Sequence, residues 1–134
     1  MRIKQISVFV GNDSGRLVDM LSPLEKKRIN IQALCVADSA DFGIVRMVVS
    51  DTESAVGALH EAGFTLRVNE VLTYQLPDTP GGLLKNVAEP LAKAGINLEY
   101  FYAFIASKLG KATVVLKVSN PEEAERVLKQ RAEA

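Results

Sequence analysis

The sequence predicts an α+β protein made of two copies of one β-α-β-β-α-β unit, set side by side, each with an antiparallel sheet carrying its helices on one face. Three observations predict it. The turn Asp78-Thr79-Pro80-Gly81-Gly82-Leu83 has a weaker copy in Asn12-Asp13-Ser14-Gly15-Arg16-Leu17, and each follows a short apolar run and opens a helical pattern. Each helix is followed by the same kind of triplet, Ile29-Asn30-Ile31 and Ile96-Asn97-Leu98. Pro23 falls seven residues before Asn30 and Pro90 seven before Asn97, although the first helix is one residue shorter before its proline. A fixed order of elements met twice in one chain marks a duplicated unit. The boundary predicted is between residues 69 and 70, giving units 1–69 and 70–134.

In the first unit, Gln5 to Val10 alternates Ile6, Val8 and Val10 against Gln5, Ser7 and Phe9, which reads as a strand. Gly11 to Gly15 then forms a turn, where Asn12, Asp13 and Ser14 are side chains that bond nearby amides or cap a helix. The helix is expected from about Arg16 to Arg28, burying Leu17, Leu21 and Leu24 with Met20 beside them. Pro23 inside it removes a backbone donor, so a bend is expected there. Asn30 ends the helix and Ile31 to Ala37 reads as the second strand. A hairpin at Asp38 to Asp41 leads into the third, Gly43 to Val49. Asp51 caps a helix that buries Val56 and Leu59 and stops at Gly63, and Phe64 to Val68 begins a fourth strand. This order is that of a ferredoxin-like split βαβ arrangement.

The cycle restarts at Glu70 to Leu76 with almost no linker, so the two units are expected to pack. The turn at Asp78 to Gly82 opens a helix with Leu83, Leu84, Val87 and Leu91 on one face. Leu98 to Ala106 is the most aromatic stretch, apolar on both faces of the expected strand. Helices cover only one face, so the other is expected to meet a second sheet, a second unit or another chain. After a turn at Gly110, Ala112 to Val118 pairs as the next strand. Asn120-Pro121-Glu122-Glu123 is a helix start with a cap, Pro at the first helical position and Glu three residues after the cap. That helix presents Ala124, Val127 and Leu128 and is expected to dissolve into a polar tail; no counterpart of Phe64 to Val68 follows it.

Composition narrows the function. The 134 residues are 48% hydrophobic and 24% charged, the proportions of a globular protein. Sixteen basic residues balance sixteen acidic ones, so no net field draws the chain to nucleic acid or to a membrane surface. No apolar run is long enough to span a bilayer, and Ile6 to Val10 is too short for a signal peptide, so a cytoplasmic location is expected. The single cysteine, Cys35, excludes an intramolecular disulfide and reads as a buried structural thiol. His60 is the only histidine and lies far in sequence from any nucleophile, so no catalytic constellation is expected. One His and one Cys fall short of a zinc site, and no cofactor motif is present.

The glycine turns are the better candidates. A turn feeding a helix offers unpaired N–H groups suited to a carboxylate, and Gly15 and Gly81 remove side chains that block close approach. Asn30 and Asn97 carry donor and acceptor, which suits one end of a zwitterion. The same residues also admit a structural reading, with glycines that only make the turn and asparagines that only cap helices.

Asn/Asp-x-x-Gly-x-Leu, a helix, then Ile-Asn-Ile/Leu at a strand start resembles the ACT domain, a regulatory fold that senses small molecules. Both units match, so the likeness covers nearly the whole chain, which looks like a stand-alone tandem ACT protein. The resemblance implies a free amino acid bound at the interface between ACT units, regulating a partner enzyme or pathway allosterically, with a homodimer as the assembly. Carried onto this sequence, the site residues it implies are Asn12, Asp13, Ser14, Gly15, Arg16 and Leu17 in one turn and Asp78, Thr79, Pro80, Gly81, Gly82 and Leu83 in the other. The strand starts add Asn30, Ile31, Asn97 and Leu98. Ser14 stands where the second turn has the family's usual Pro.

The leading expectation is therefore a non-catalytic amino-acid sensor, with Tyr100 and Tyr102 as candidates to line a pocket for a flat side chain. The alternative is a ligand-free ACT-type dimerisation or assembly module, which the doubly apolar strand serves equally well. RNA binding, another use of ferredoxin-like folds, is opposed by the neutral charge and by Glu99 amid the aromatic strand.

Overall fold

The structure, a computed structural model, describes residues 2–11, 13–38 and 42–133. Six strands and four helices follow in the order β1 (Arg2–Gly11), α1 (Arg16–Lys26), β2 (Ile31–Asp38), β3 (Phe42–Val49), α2 (Thr52–Glu61), β4 (Thr65–Pro77), α3 (Glu89–Lys93), β5 (Leu98–Ala103), β6 (Lys111–Val118) and α4 (Pro121–Glu133). A π-helical turn, Leu84–Ala88, runs directly into α3. The chain forms two compact units, Lys4–Glu70 and Val71–Ala134 with Met1–Ile3.

In the earlier unit β3 pairs antiparallel with both β1 and β2. Ile6, Val8 and Val10 of β1 face the same way as Val45 and Met47 of β3, and onto them pack Met20 and Leu24 of α1 and Ala55 and Leu59 of α2. Both helices therefore cover one face, as the alternation in β1 predicts. The later unit repeats the plan. β6 pairs antiparallel with β4 and β5, and Leu72, Tyr74 and Leu76 join Val114, Leu116 and Val118 beneath Val87, Leu91, Ala124 and Leu128. Burial pushes the Tyr74 phenol above its ordinary pKa, and the charge of Arg131 pulls it the other way. The unit has no strand after α4 among the described residues, but it takes in the first residues of the chain, where Arg2 Nε reaches Glu125 Oε1 of α4 at 3.2 Å.

Several local expectations change. The strands expected at Phe64 to Val68 and at Glu70 to Leu76 are one uninterrupted β4, and Phe64 lies just before it, buried. Asn69, a turn-former by type, is held in the strand because its Oδ1 accepts from Nε2 of the fully buried Gln5 at 3.3 Å. α1 runs unbroken through Pro23 but stops at Lys26, short of Arg28. Arg28 takes the left-handed conformation (φ 57°) that closes the helix, with the Ile29 amide reaching Leu24 O at 3.0 Å. Leu17, Leu83 and Leu84 are exposed, not buried, whereas Met20, Val87 and Leu91 are fully inside. β5 ends at Ala103 and its residues alternate in burial, so it is not apolar-buried on both faces. α4 continues to Glu133 where a polar tail was expected. The hairpin residues Ser39 to Asp41 lie outside the described residues.

The caps follow the sequence. Ser54 N donates to Asp51 Oδ1 at 3.2 Å, Glu123 N to Asn120 Oδ1 at 3.3 Å, and Gly63 (φ 87°) terminates α2. The bond from Ser54 holds the Asp51 carboxyl below its usual pKa. No described helix is long and apolar enough to cross a membrane.

The extra residue of the second repeat is absorbed by the π-turn. Gly15 and Pro23 are eight residues apart, Gly81 and Pro90 nine, yet both helices end in the same way, with Ile96 N reaching Leu91 O at 2.9 Å. A turn closed by i→i+5 bonds, here Glu89 N to Leu84 O, holds one residue more than an α-turn.

Candidate functional site

The site is built on the close approach of the chain to itself at the second glycine turn. Asp78 N donates to Gly110 O at 3.0 Å, tying the turn to the loop before β6. Gly81 adopts φ 77°, a conformation that costs an L-residue its Cβ clearance. Gly82 is required for a different reason: a Cβ there would lie 2.5 Å from Pro77 O. The helix thus starts against the end of β4 with no room for a side chain between them. Gly82 N donates to Thr79 O at 2.9 Å and Lys85 N to Gly81 O at 3.0 Å. Among the described residues no backbone acceptor meets the amides of Leu83 and Leu84. These are the orphan donors that any helix start leaves. Asn86 Nδ2 satisfies Gly82 O at 2.8 Å, and Arg131 Nε holds Asn86 Oδ1 at 3.3 Å.

Beside this turn lies an open cavity of about 410 Å³, within the size range of small-molecule sites. Pro77, Asp78, Thr79, Gly81 and Gly82 form one rim, with Leu83 and Leu84 on the helix side. The strands supply Leu76, Phe101, Ala103, Ala112 and Val114. Register explains their presence. Phe101 and Ala103 stand opposite Leu116 and Val114, so they share the face on which the helices pack. β5 reaches past the cover of those helices there, which leaves Phe101 46% exposed. Among the described residues Asp78 is the one ionisable side chain in the lining.

The structure therefore brings Asp78, Thr79, Gly81, Gly82 and Leu83 to one cavity, while Pro80, Asn97 and Leu98 stand outside its lining. Asn97 is engaged through its backbone: its N–H donates to Ser119 Oγ at 3.0 Å and its carbonyl accepts from Ser119 N at 3.0 Å. Asn30 does the same with Ser50, at 3.0 and 2.9 Å. Through these backbone bonds both asparagines staple the start of a second strand to the end of a third. Ile31 and Leu98 pack partly buried against their cores. Tyr100 and Tyr102 pair with Lys117 and Val115, on the face opposite Phe101, so they do not line this cavity.

The first turn is furnished differently. Asn12 lies outside the described residues; Asp13 and Ser14 are exposed, and Gly15 (φ 87°) caps α1 without a side-chain bond. Arg16 occupies the position of Gly82. Its guanidinium lies 5.3 Å over the Phe64 ring and its Nη1 is 3.6 Å from Asp19 Oδ2. Its side chain also passes Gly11, where a Cβ would meet Arg16 Nε at 3.7 Å. His60 is exposed on α2, Cys35 is half-buried in β2, and no group of His, Cys, Asp and Glu among the described residues could hold a metal.

The sequence matches the family described as ACT domain pair over residues 1–133. The chain belongs to that family. Among solved structures, protein BT0572 from Bacteroides thetaiotaomicron is 38% identical, with a TM-score of 0.90 over 98% of this chain and 90% of that one. The regulatory subunits of aspartate kinase from Thermus thermophilus (ligand-free form) and Thermus flavus share the fold at 15% and 17% identity. Their TM-scores are 0.68 and 0.64, and each match covers 98% of this chain and 95% of the other. No curated protein sequence matches this one. An ACT pair is a regulatory type of fold.

Proposed function

We propose that this ACT pair is a non-catalytic regulator that binds a free amino acid at the Asp78–Leu83 turn and passes binding to a partner enzyme or pathway. One observation carries the reading: the cavity of about 410 Å³ that joins the glycine turn to β5. Among the described residues the amides of Leu83 and Leu84 meet no backbone acceptor and suit a carboxylate, and Asp78 suits an ammonium group. The cavity is open at Leu83, Leu84 and Phe101, so an ACT unit of a second copy of the chain would close it. Binding then tightens the interface, which is how a protein without chemistry transmits a signal.

Thermal unfolding against the twenty amino acids at millimolar concentration tests this. A ligand at a hundred times its dissociation constant adds about 2.7 kcal/mol, a rise of roughly 8 °C for a chain of this size. A rise confined to one chemical group of amino acids supports the sensor. A flat response across the panel favours the second reading, an assembly module without ligand. That reading rests on Ile105 and Leu109, both strongly exposed just beyond β5.

A further inference from the structure

The later unit carries two cavities of nearly equal size and opposite chemistry. One, about 400 Å³, is bordered by Lys85, Glu89, Lys93 and Arg131 on the outer side of the helices. The other, at the glycine turn, has Leu83, Leu84 and Phe101 as walls and Ala103, Ala112 and Val114 as strand floor, with no cationic side chain in its lining. We propose, resting on the sensor reading above, that the amino acid taken up at the turn has an aliphatic or aromatic side chain, which lies between Leu84 and Phe101 over Ala103. Three features select for that class. A charged or strongly polar side chain placed there would shed its water and find no partner on the walls or floor, which is unfavourable. Apolar walls already exposed to solvent gain from being covered, and Leu83, Leu84 and Phe101 are large exposed apolar groups of the lining. The only ionic partner, Asp78, stands on the rim, where it meets the ammonium group and leaves the interior to the side chain.

Comparison of the repeats locates the room. Six residues beyond Asn97 stands Ala103; six beyond Asn30 stands Val36, so the earlier unit carries the larger side chain at the position that floors the cavity here. A branched residue is thus compatible with this strand position, and Ala103→Leu fills the cavity from a site where β5 is already open to solvent.

Calorimetric titration of the full chain with leucine, phenylalanine, serine, lysine and aspartate, each alone, tests the assignment. The expected result is saturable binding of leucine or phenylalanine at least tenfold tighter than of the other three. Affinity should fall tenfold or more in Ala103→Leu, and also in Phe101→Ala, which removes a wall and keeps the result readable if the filled variant fails to fold. Asp78→Asn should weaken binding of the same ligand. Tightest binding of lysine, aspartate or serine would overturn the apolar assignment and leave the sensor reading standing. Apolar amino acids that bind with affinity unchanged in both Ala103→Leu and Phe101→Ala would overturn the location. No binding by any amino acid would overturn the sensor reading and this one together. A change of oligomer size in Ala103→Leu in that case would assign the cavity to a side chain of a second copy.

Discussion

The two glycine turns follow one pattern and differ at the first helical position, Arg16 in one and Gly82 in the other. At Gly82 the helix is drawn so close to β4 that a methyl group would collide with Pro77 O, and an apolar cavity lies alongside. At Arg16 a long cation fills the neighbourhood, stacked over Phe64 and paired with Asp19. Phe64 has no apolar counterpart in the later repeat, where the position matched through the two helix caps is Glu133. The repeat supplies two equivalent places, and the residues that differ at them, Arg16 for Gly82 and Val36 for Ala103 among them, accompany a packed surface in one and a recess in the other.

The largest effect expected from breaking this contrast is at Gly82. Gly82→Ala sets a Cβ 2.5 Å from Pro77 O, and overpacking of this kind costs about 1–3 kcal/mol. Arg16→Ala removes a partly exposed cation–π contact worth about 0.5–1 kcal/mol. Urea unfolding of the two variants should rank them in that order; equal midpoints would contradict the close approach at Gly82.

A second contrast lies where the first helix of each repeat ends. Arg28 holds φ 57° where the later repeat has Gly95 at φ 72°. A left-handed residue with a Cβ costs roughly 1–2 kcal/mol, part of which is offset because glycine loosens the unfolded chain. Arg28→Gly is therefore expected to raise stability by up to about 1 kcal/mol and Gly95→Arg to lower it by a similar amount. Denaturant midpoints that move in the same direction for both would break the equivalence of the two helix ends.

The smallest effect separates the second helices. α2 is capped by the ionisable Asp51 and α4 by Asn120, which does not titrate. Because folding depresses the Asp51 pKa, its contribution is complete above the unfolded value and is lost as pH falls below about 4 through the folded one. Glu123, depressed by its bond with Arg126, loses that partner in the same direction of pH, but the Asn120 cap persists. Amide exchange, corrected for its intrinsic pH dependence, should show Ser54 losing protection on acidification while Glu123 N–H keeps it. Equal loss at both would assign the effect to the acidic side chains and not to the caps.

What was legible in the sequence was local or repeated. Asp51, Gly63 and Asn120-Pro121 specify their helix ends through bonds within a few residues, and the paired Ile-Asn triplets mark equivalent staples to Ser50 and Ser119. The exposure of Leu83 and Leu84, like that of Leu17 in the first repeat, was not legible, because apolar residues at helical spacing do not reveal where the first turn of a helix runs past the core it covers. Within β4, Asn69 is bonded to Gln5, a residue distant in sequence, which no local signal reveals. The cavity needs the register of β5 on β6, which selects Phe101 over its neighbours Tyr100 and Tyr102. An aromatic cluster read along the chain does not reveal which alternate side chains face the turn.

The π-turn has a consequence for the angular bookkeeping of the helix. Each residue of an α-helix advances about 100° around the axis. One residue added to a regular helix would swing Leu91 about a quarter turn out of the core and carry the Ile96 closure and the β5 register with it. Widening a single ring lets the same circuit hold one residue more, so every side chain after Ala88 keeps its azimuth. The residues before the ring keep their aim as well: Leu83 and Leu84 are exposed, as Leu17 and Val18 are at the same places in the first repeat. The insertion is therefore silent toward the core on either side of the ring, and the first repeat shows the same plan without it.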